Sequence, residues 1–269
     1  MQAPAKIVVI KLGSGVLTHG DRVALDGEQF ENIVAAVSGV LRSGYRPVVV
    51  SSGAVAAGLM AFKMDSRPDD MATLQACAAV GQARLMHFYE SLFRLEQINV
   101  AQLLVTYSDF ATEGRCENVK RTLDRLLAFP DVVPIVNEND SVSTEELKFG
   151  DNDALSAKLA VLAGAEKLIL FTGVDGLHDF DDPDEGAIIG VVDDVEAVMG
   201  LASDEKGALS VGGMQSKLLA VKLAVDAGIE TVIASGYRPE QLGELIAGGG
   251  RCTRFRVPVE GVPGDGEPL

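Results

Sequence analysis

The 269-residue chain has no tryptophan, three cysteines, three histidines and only 23 lysines and arginines, and each shortage narrows what it can be. Cys77, Cys116 and Cys252 are odd in number and far apart, with no C-x-x-C pair, so neither a disulfide framework nor a zinc site is indicated. His19, His87 and His178 show no metal-ligand spacing and read as surface or core residues, and no metal-ligating residue is assigned. The scarcity of histidine also counts against hydrolases that need a Ser/His pair. No apolar run approaches the roughly 18 residues that cross a bilayer. At the N-terminus only residues 7–10 are continuously apolar, between Lys6 and Lys11, which reads as a strand and not a leader. A cytoplasmic protein without membrane contact is expected. Against the few basic residues stand 39 acidic ones, giving a net charge of -16 that disfavours nucleic-acid binding. An acidic chain that holds an anion must therefore place its scarce lysines where the anion sits. Neither G-x-G-x-x-G nor G-x-x-x-x-G-K-[ST] occurs, so a Rossmann dehydrogenase and a P-loop enzyme are both disfavoured.

What is present is 47% hydrophobic sequence with no linker or low-complexity break, read as one domain over residues 1–258 and a disordered tail over 259–269. Apolar runs at 6–11, 47–51, 100–105, 132–136, 167–171, 231–234 and 253–257 read as strands. Helical periodicity covers 26–43, 71–95, 117–128, 154–163, 217–227 and 240–246, with Gly81 expected to interrupt the second of these. Strand followed by helix, repeated, predicts right-handed crossovers and an α/β fold: a three-layer αβα sandwich around a central, mostly parallel sheet.

The stretch 136–162 organises the rest. An apolar strand runs into Asn137, Glu138, Asn139 and Asp140, and Gly150, Asp151, Asn152 and Asp153 then open an Ala/Leu-rich helix. Polar clusters at the carboxyl ends of strands in an open α/β sheet are where ligands bind. Asn152 or Asp153 is the expected N-cap. Lys11 ends the first strand before the mobile 12–15 turn, whose glycines let backbone N–H groups approach a phosphate. The small residues 51–58 read either as an anion-binding helix start or as close packing of helix on sheet. Gly212 and Gly213 precede a helix with Lys217 in its first turn, where the helix dipole disfavours a cation unless an anion is bound.

Together, IKLGSGVLT at 10–18, VSSGAVAAG at 50–58, AAVGQ at 78–82, VNENDSV at 136–142, FGDNDALSA at 149–157 and GGMQSK at 212–217 resemble the amino acid kinase family, in particular its glutamate-phosphorylating branch. The resemblance covers 6–255, and NEND followed by GDND is its most specific part. It implies ATP and Mg²⁺ as co-substrates and phosphorylation of the side-chain carboxylate of L-glutamate, the first step of proline synthesis. Proline is implied as a feedback inhibitor, a glutamyl phosphate reductase as the downstream enzyme, and a homo-oligomer as the assembly. Catalytic roles fall on Lys11, Lys217 and Asp153, and glutamate binding on Ser52, Gly53, Asp140 and Asn152. Nucleotide binding falls on Lys11, Gly13, Thr172, Gly173, Val211, Gly212, Gly213, Met214 and Lys217. Residues 144–149 are the candidate closing loop. Departures gather on the nucleotide side: Gly173 where aspartate is common, His178 where tyrosine is, and Ser210-Val211 where Gly-Thr is usual. Many bacterial members also carry a C-terminal PUA-like domain, and the chain reads as a form without one. The alternatives are another acceptor within the family, such as aspartate, N-acetylglutamate, a nucleoside monophosphate or an isoprenoid phosphate, or a catalytically weak glutamate or proline sensor.

Overall fold

The computed structural model describes residues 6–18, 24–143, 152–179, 187–202 and 213–258. In the first strand, β1 (Ile7–Leu12), Val8, Ile10 and Leu12 bury against one helical layer and Val9 against the other, all without solvent exposure. Such a strand has two covered faces, which is why it reads as an unbroken apolar run.

After the short helix α1 (Ser14–Leu17) come α2 (Gly27–Arg42), β2 (Arg46–Val50), α3 (Ala54–Phe62), α4 (Met71–Leu95) and β3 (Asn99–Val105). Then follow α5 (Tyr107–Ala111), α6 (Glu113–Leu127), β4 (Val132–Glu138), α7 (Asp153–Ala163) and β5 (Lys167–Thr172). The small strands β6 (His178–Asp179), β7 (Ala187–Ile188) and β8 (Val191–Val192) and the helix α8 (Val195–Val198) lead to α9 (Met214–Asp226). β9 (Glu230–Ser235), α10 (Leu242–Ala247) and β10 (Cys252–Phe255) complete the described strands and α-helices.

The main sheet has eight strands in the order β3-β4-β2-β1-β5-β9-β10-β8. From β3 to β9 every pairing is parallel, and β10 then runs antiparallel to β9 with β8 parallel to β10. β6 and β7 form a separate antiparallel pair. One face of the sheet packs with α6, α7 and α9, through Leu123, Leu155, Leu159, Leu218 and Val221, and the other with α2, α4 and α10, through Phe30, Ile33, Leu85 and Leu245. The expected three-layer αβα sandwich with a mostly parallel sheet is the observed fold.

Three local expectations change. Gly81 does not interrupt its helix, since α4 runs unbroken through it. A Cβ at Gly81 would lie 1.7 Å from the Ala54 carbonyl oxygen, and one at Gly58 would lie 2.0 Å from that of Cys77. These glycines let α3 and α4 cross with their backbones in contact, so the small residues at 51–58 serve helix-on-helix packing as well as a turn. Second, the helix expected over 117–128 starts at Glu113. Third, Asn152 holds the N-cap position of α7 but its side chain makes no capping bond. No described helix is long and apolar enough to cross a membrane.

Candidate active site

The strands β1, β2, β4, β5 and β9 all end on one edge of the sheet, bringing Lys11, Ser51, Asn137, Thr172 and Ser235 to that edge. α7 and α9 begin above the same edge. Asp153 is the first residue of α7 and is fully buried. One of its carboxylate oxygens pairs with the Lys11 ammonium, and the other lies 3.1 Å from Lys217 Nζ. Lys11 and Lys217 are themselves buried, with 5% and 9% of their surface exposed.

This arrangement accounts for a cation in the first turn of α9, where the dipole opposes it. The carboxylate of Asp153 compensates Lys217, and its own place at the start of α7 is one that favours negative charge. Two ammonium groups share one carboxylate, so the cluster carries a net charge of about +1 in a low-dielectric setting. Within a chain of net charge -16 it is a local positive site.

The second half of the site is a buried amide ladder. Asn152 Nδ2 donates to the Ser51 carbonyl (2.9 Å) and to Asn137 Oδ1 (2.9 Å), with Ser52 Oγ at 3.4 Å. Asn137 Nδ2 donates to Gln82 Oε1 (2.9 Å), and Gln82 Nε2 to Gln102 Oε1 (3.2 Å). Because the Ser51 carbonyl can only accept, the orientation of Asn152 is fixed, and both of its N–H groups are used within the ladder. The atom left over is Oδ1, an acceptor that is buried without a donor among the described residues. An ammonium suits it better than a carboxylate does. Donation to an anionic end of a ligand therefore falls to Ser52 and to backbone N–H groups at the start of α3. Gly53 sits there at φ +101°, a conformation that favours glycine, and turns the chain from β2 into that helix.

Ser51 is clamped from behind by the buried Tyr89, whose hydroxyl lies 2.9 Å from Ser51 Oγ and whose burial pushes its pKa upward. On the opposite flank Asp140 is half-buried at the end of β4. Desolvation first, and the nearby charge of Glu138 second, raise its pKa to about 7, with Arg67 opposing them. Asp140 lines a cavity of about 320 Å³ together with Ala54, Gln82, Gln102 and Glu138. Ser52 and Asn152 do not line it, so it opens on the Asp140 flank of the ladder.

On the third side, Gly13 N donates to the Phe171 carbonyl (3.1 Å), tying the β1 turn to the end of β5. The Thr172 hydroxyl accepts from Val174 N (3.1 Å), and Gly173 follows it in the open. His178 Nε2 lies 2.9 Å from Asp175 Oδ1, and Arg251 holds the other oxygen of that carboxylate at 2.6 Å. Gly213 caps α9 and Met214 is buried in the core beneath it. Val211 and Gly212, like residues 144–149 and Gly150 and Asp151, lie outside the described residues.

The structure thus gathers Lys11, Lys217 and Asp153 at one point and Ser52, Gly53 and Asn152 at a second. Thr172, Gly173 and Gly13 form a third group, and Asp140 stands at the rim. Sequence reasoning missed the amide ladder and Tyr89. AAVGQ carried Gln82 as a motif residue, but nothing in the sequence pairs Gln82 with Asn137 across 55 positions.

A mostly parallel αβα sandwich, with paired lysines on a buried aspartate at the strand ends, is an architecture of the amino acid kinase class. The model of the amino acid kinase family matches residues 6–235, and the chain belongs to that family. Within it, the chain is similar to glutamate 5-kinases. It is 43% identical to that of Geobacter sulfurreducens over 90% of this chain and 65% of the relative, and 40% identical to that of Sodalis glossinidius over 95% and 71%. It spans about two thirds of the length of these curated relatives. Among solved structures, a carbamate kinase from Giardia lamblia bound to AMP-PNP superposes with a TM-score of 0.63 at 16% identity, covering 94% of this chain and 99% of that one. A UMP kinase from Bacillus anthracis gives 0.62 at 15%, covering 96% and 98%. At such identities these two speak for the fold alone.

Proposed function

We propose that the chain transfers the terminal phosphoryl group of ATP to the side-chain carboxylate of L-glutamate, yielding glutamyl 5-phosphate for proline synthesis. The observation that carries the mechanism is the convergence of Lys11 and Lys217 on Asp153. A side-chain carboxylate with a pKa near about 4.3 is already ionised at neutral pH, so the acceptor needs no general base. The difficulty is electrostatic: one anion must approach another in line. Phosphoryl transfer is catalysed largely by positioning and charge neutralisation. In this reading Lys11 meets the transferring group from the β1 side and Lys217 from the nucleotide side. Asp153 holds both ammonium groups in place and does not touch the phosphate.

Ser52 and the backbone at Gly53 bind the substrate's α-carboxylate, Asp140 accepts from its α-ammonium, and Asn152 fixes the Ser51-Ser52 turn against which the substrate lies. Gly13, Thr172, Gly173, Val211, Gly212, Gly213 and Met214 belong to the nucleotide side. Both Asp153 oxygens are engaged by lysines, so a Mg²⁺ ion would be carried by the nucleotide phosphates, where it neutralises charge between them. Proline shares the α-ammonium and α-carboxylate of glutamate and is assigned to the same pocket as an inhibitor, and a reductase consumes the acyl phosphate.

An acceptor panel tests the reading. ADP release should depend on L-glutamate and stay near background with aspartate, N-acetylglutamate, a nucleoside monophosphate or an isoprenoid phosphate. Faster turnover with any of those four would reassign the acceptor.

A further inference from the structure

The ends of β1, β5 and β9 are laced together on the nucleotide side, and one exposed aromatic ring stands over the junction. Gly236 N donates to the Thr172 carbonyl at 2.8 Å, and the Gly236 carbonyl accepts from Gln29. A Cβ at Gly236 would come within 2.5 Å of Val16, so the turn after β9 is pressed against α1. That close approach carries Tyr237 across to the first turn of α1, directly after β1, where its hydroxyl donates to the Gly15 carbonyl at 2.9 Å. The edge of the ring beside that hydroxyl also reaches Gly173. Cε2 lies 4.0 Å from where a Cβ of Gly173 would be, so the ring covers backbone that has no side chain of its own. The residue is otherwise largely in solvent, with 55% of it exposed.

A half-exposed aromatic anchored at its polar tip is a pre-positioned apolar surface. Its neighbours identify what could lie on it, because Gly15 follows the turn beside Lys11 and Gly173 follows Thr172. We propose that Tyr237 is a nucleotide-binding residue: its ring walls the pocket on which the nucleoside part of ATP packs, while its hydroxyl holds the turn that meets the phosphates. The inference rests on the kinase reading above, and it adds a residue just past the end of β9 to those the motifs supply.

The chain's lack of tryptophan provides a direct probe. In Tyr237→Trp the single indole should change its emission when AMP-PNP is titrated in without glutamate, and the change should saturate. Stacking on an aromatic side chain is worth enough that Tyr237→Ala should raise KM for ATP about tenfold. KM for glutamate should stay within about twofold in that variant, and Tyr237→Phe, which keeps the ring, should hold KM for ATP near the wild-type value. A merely structural Tyr237 would move both KM values together or neither. Unchanged KM for ATP in Tyr237→Ala, with Tyr237→Trp emission indifferent to saturating AMP-PNP while the wild type still phosphorylates glutamate, overturns this inference alone. Failure of the wild type to bind AMP-PNP by calorimetry overturns the kinase reading as well.

Discussion

Asp153 is the residue that makes the lysine pair tolerable. Removing one partner from a buried ionic cluster costs about 3 kcal/mol or more, because the remaining charges have no compensation. Asp153→Asn leaves two ammonium groups side by side, and its melting temperature should fall by roughly 10 °C. A melting temperature unchanged from wild type would mean that Asp153 does not balance those charges. Asp140 sits at the other end of the site with a pKa raised to about 7. Between about pH 4 and pH 7 the folded protein holds a proton that the unfolded chain has released, so this group's stability contribution is lost as pH rises through that window. Its charge, which an ammonium needs, develops only toward the top of it. KM for glutamate should therefore fall as pH rises from about 6 to about 8, and Asp140→Asn should raise KM and flatten that dependence. A parallel profile in wild type and variant would remove Asp140 from ammonium binding.

At the scale of elements, the crossing of α3 and α4 positions the amino-acid side of the site. α3 starts directly after Ser52 and Gly53, and its backbone rests on that of α4 at Gly58 and Gly81. Gly81→Ala places a methyl 1.7 Å from the Ala54 carbonyl, which no rotamer can relieve. The helices must separate, at a cost on the order of 3 kcal/mol, and Ser52 moves with α3. The expected result is a lower melting temperature together with a raised KM for glutamate and little change in KM for ATP. Equal changes in the two KM values would mean that the crossing supports the whole site and not one side of it. This packing is also where sequence reading failed: a glycine in a helical run reads as a break, whereas here it marks a close approach that only the partner helix reveals.

Across the whole molecule, what was legible follows from periodicity and from element ends. Buried parallel strands such as residues 7–12 are continuous apolar runs, and helices such as Met71–Leu95 keep one apolar face, so the layers and most boundaries could be read directly. Lys11, Asp153 and Lys217 were nameable because the motifs that carry them resemble those of the amino acid kinase family, while their places near element ends beside glycines or a polar cluster agreed with that reading. The bonds among Asn152, Asn137 and Gln82, and the reach of Tyr237 to Gly15 across 222 positions, depend on which strands become neighbours in the sheet, and no local pattern encodes that. The same limit explains why Asn152 looked like a side-chain cap: its position is that of a cap, but its amide is claimed by β2 and β4.

The central claim is that two lysines brought together by one aspartate neutralise a migrating phosphoryl group. The most direct measurement is glutamate-dependent ADP release by the wild type, Lys11→Ala and Lys217→Ala, each first shown to be folded by its melting curve. Losing a preorganised contact of this kind costs about 3 kcal/mol, so each variant should fall at least about a hundredfold in kcat. A folded Lys11→Ala or Lys217→Ala that turns over glutamate at the wild-type rate would contradict the account.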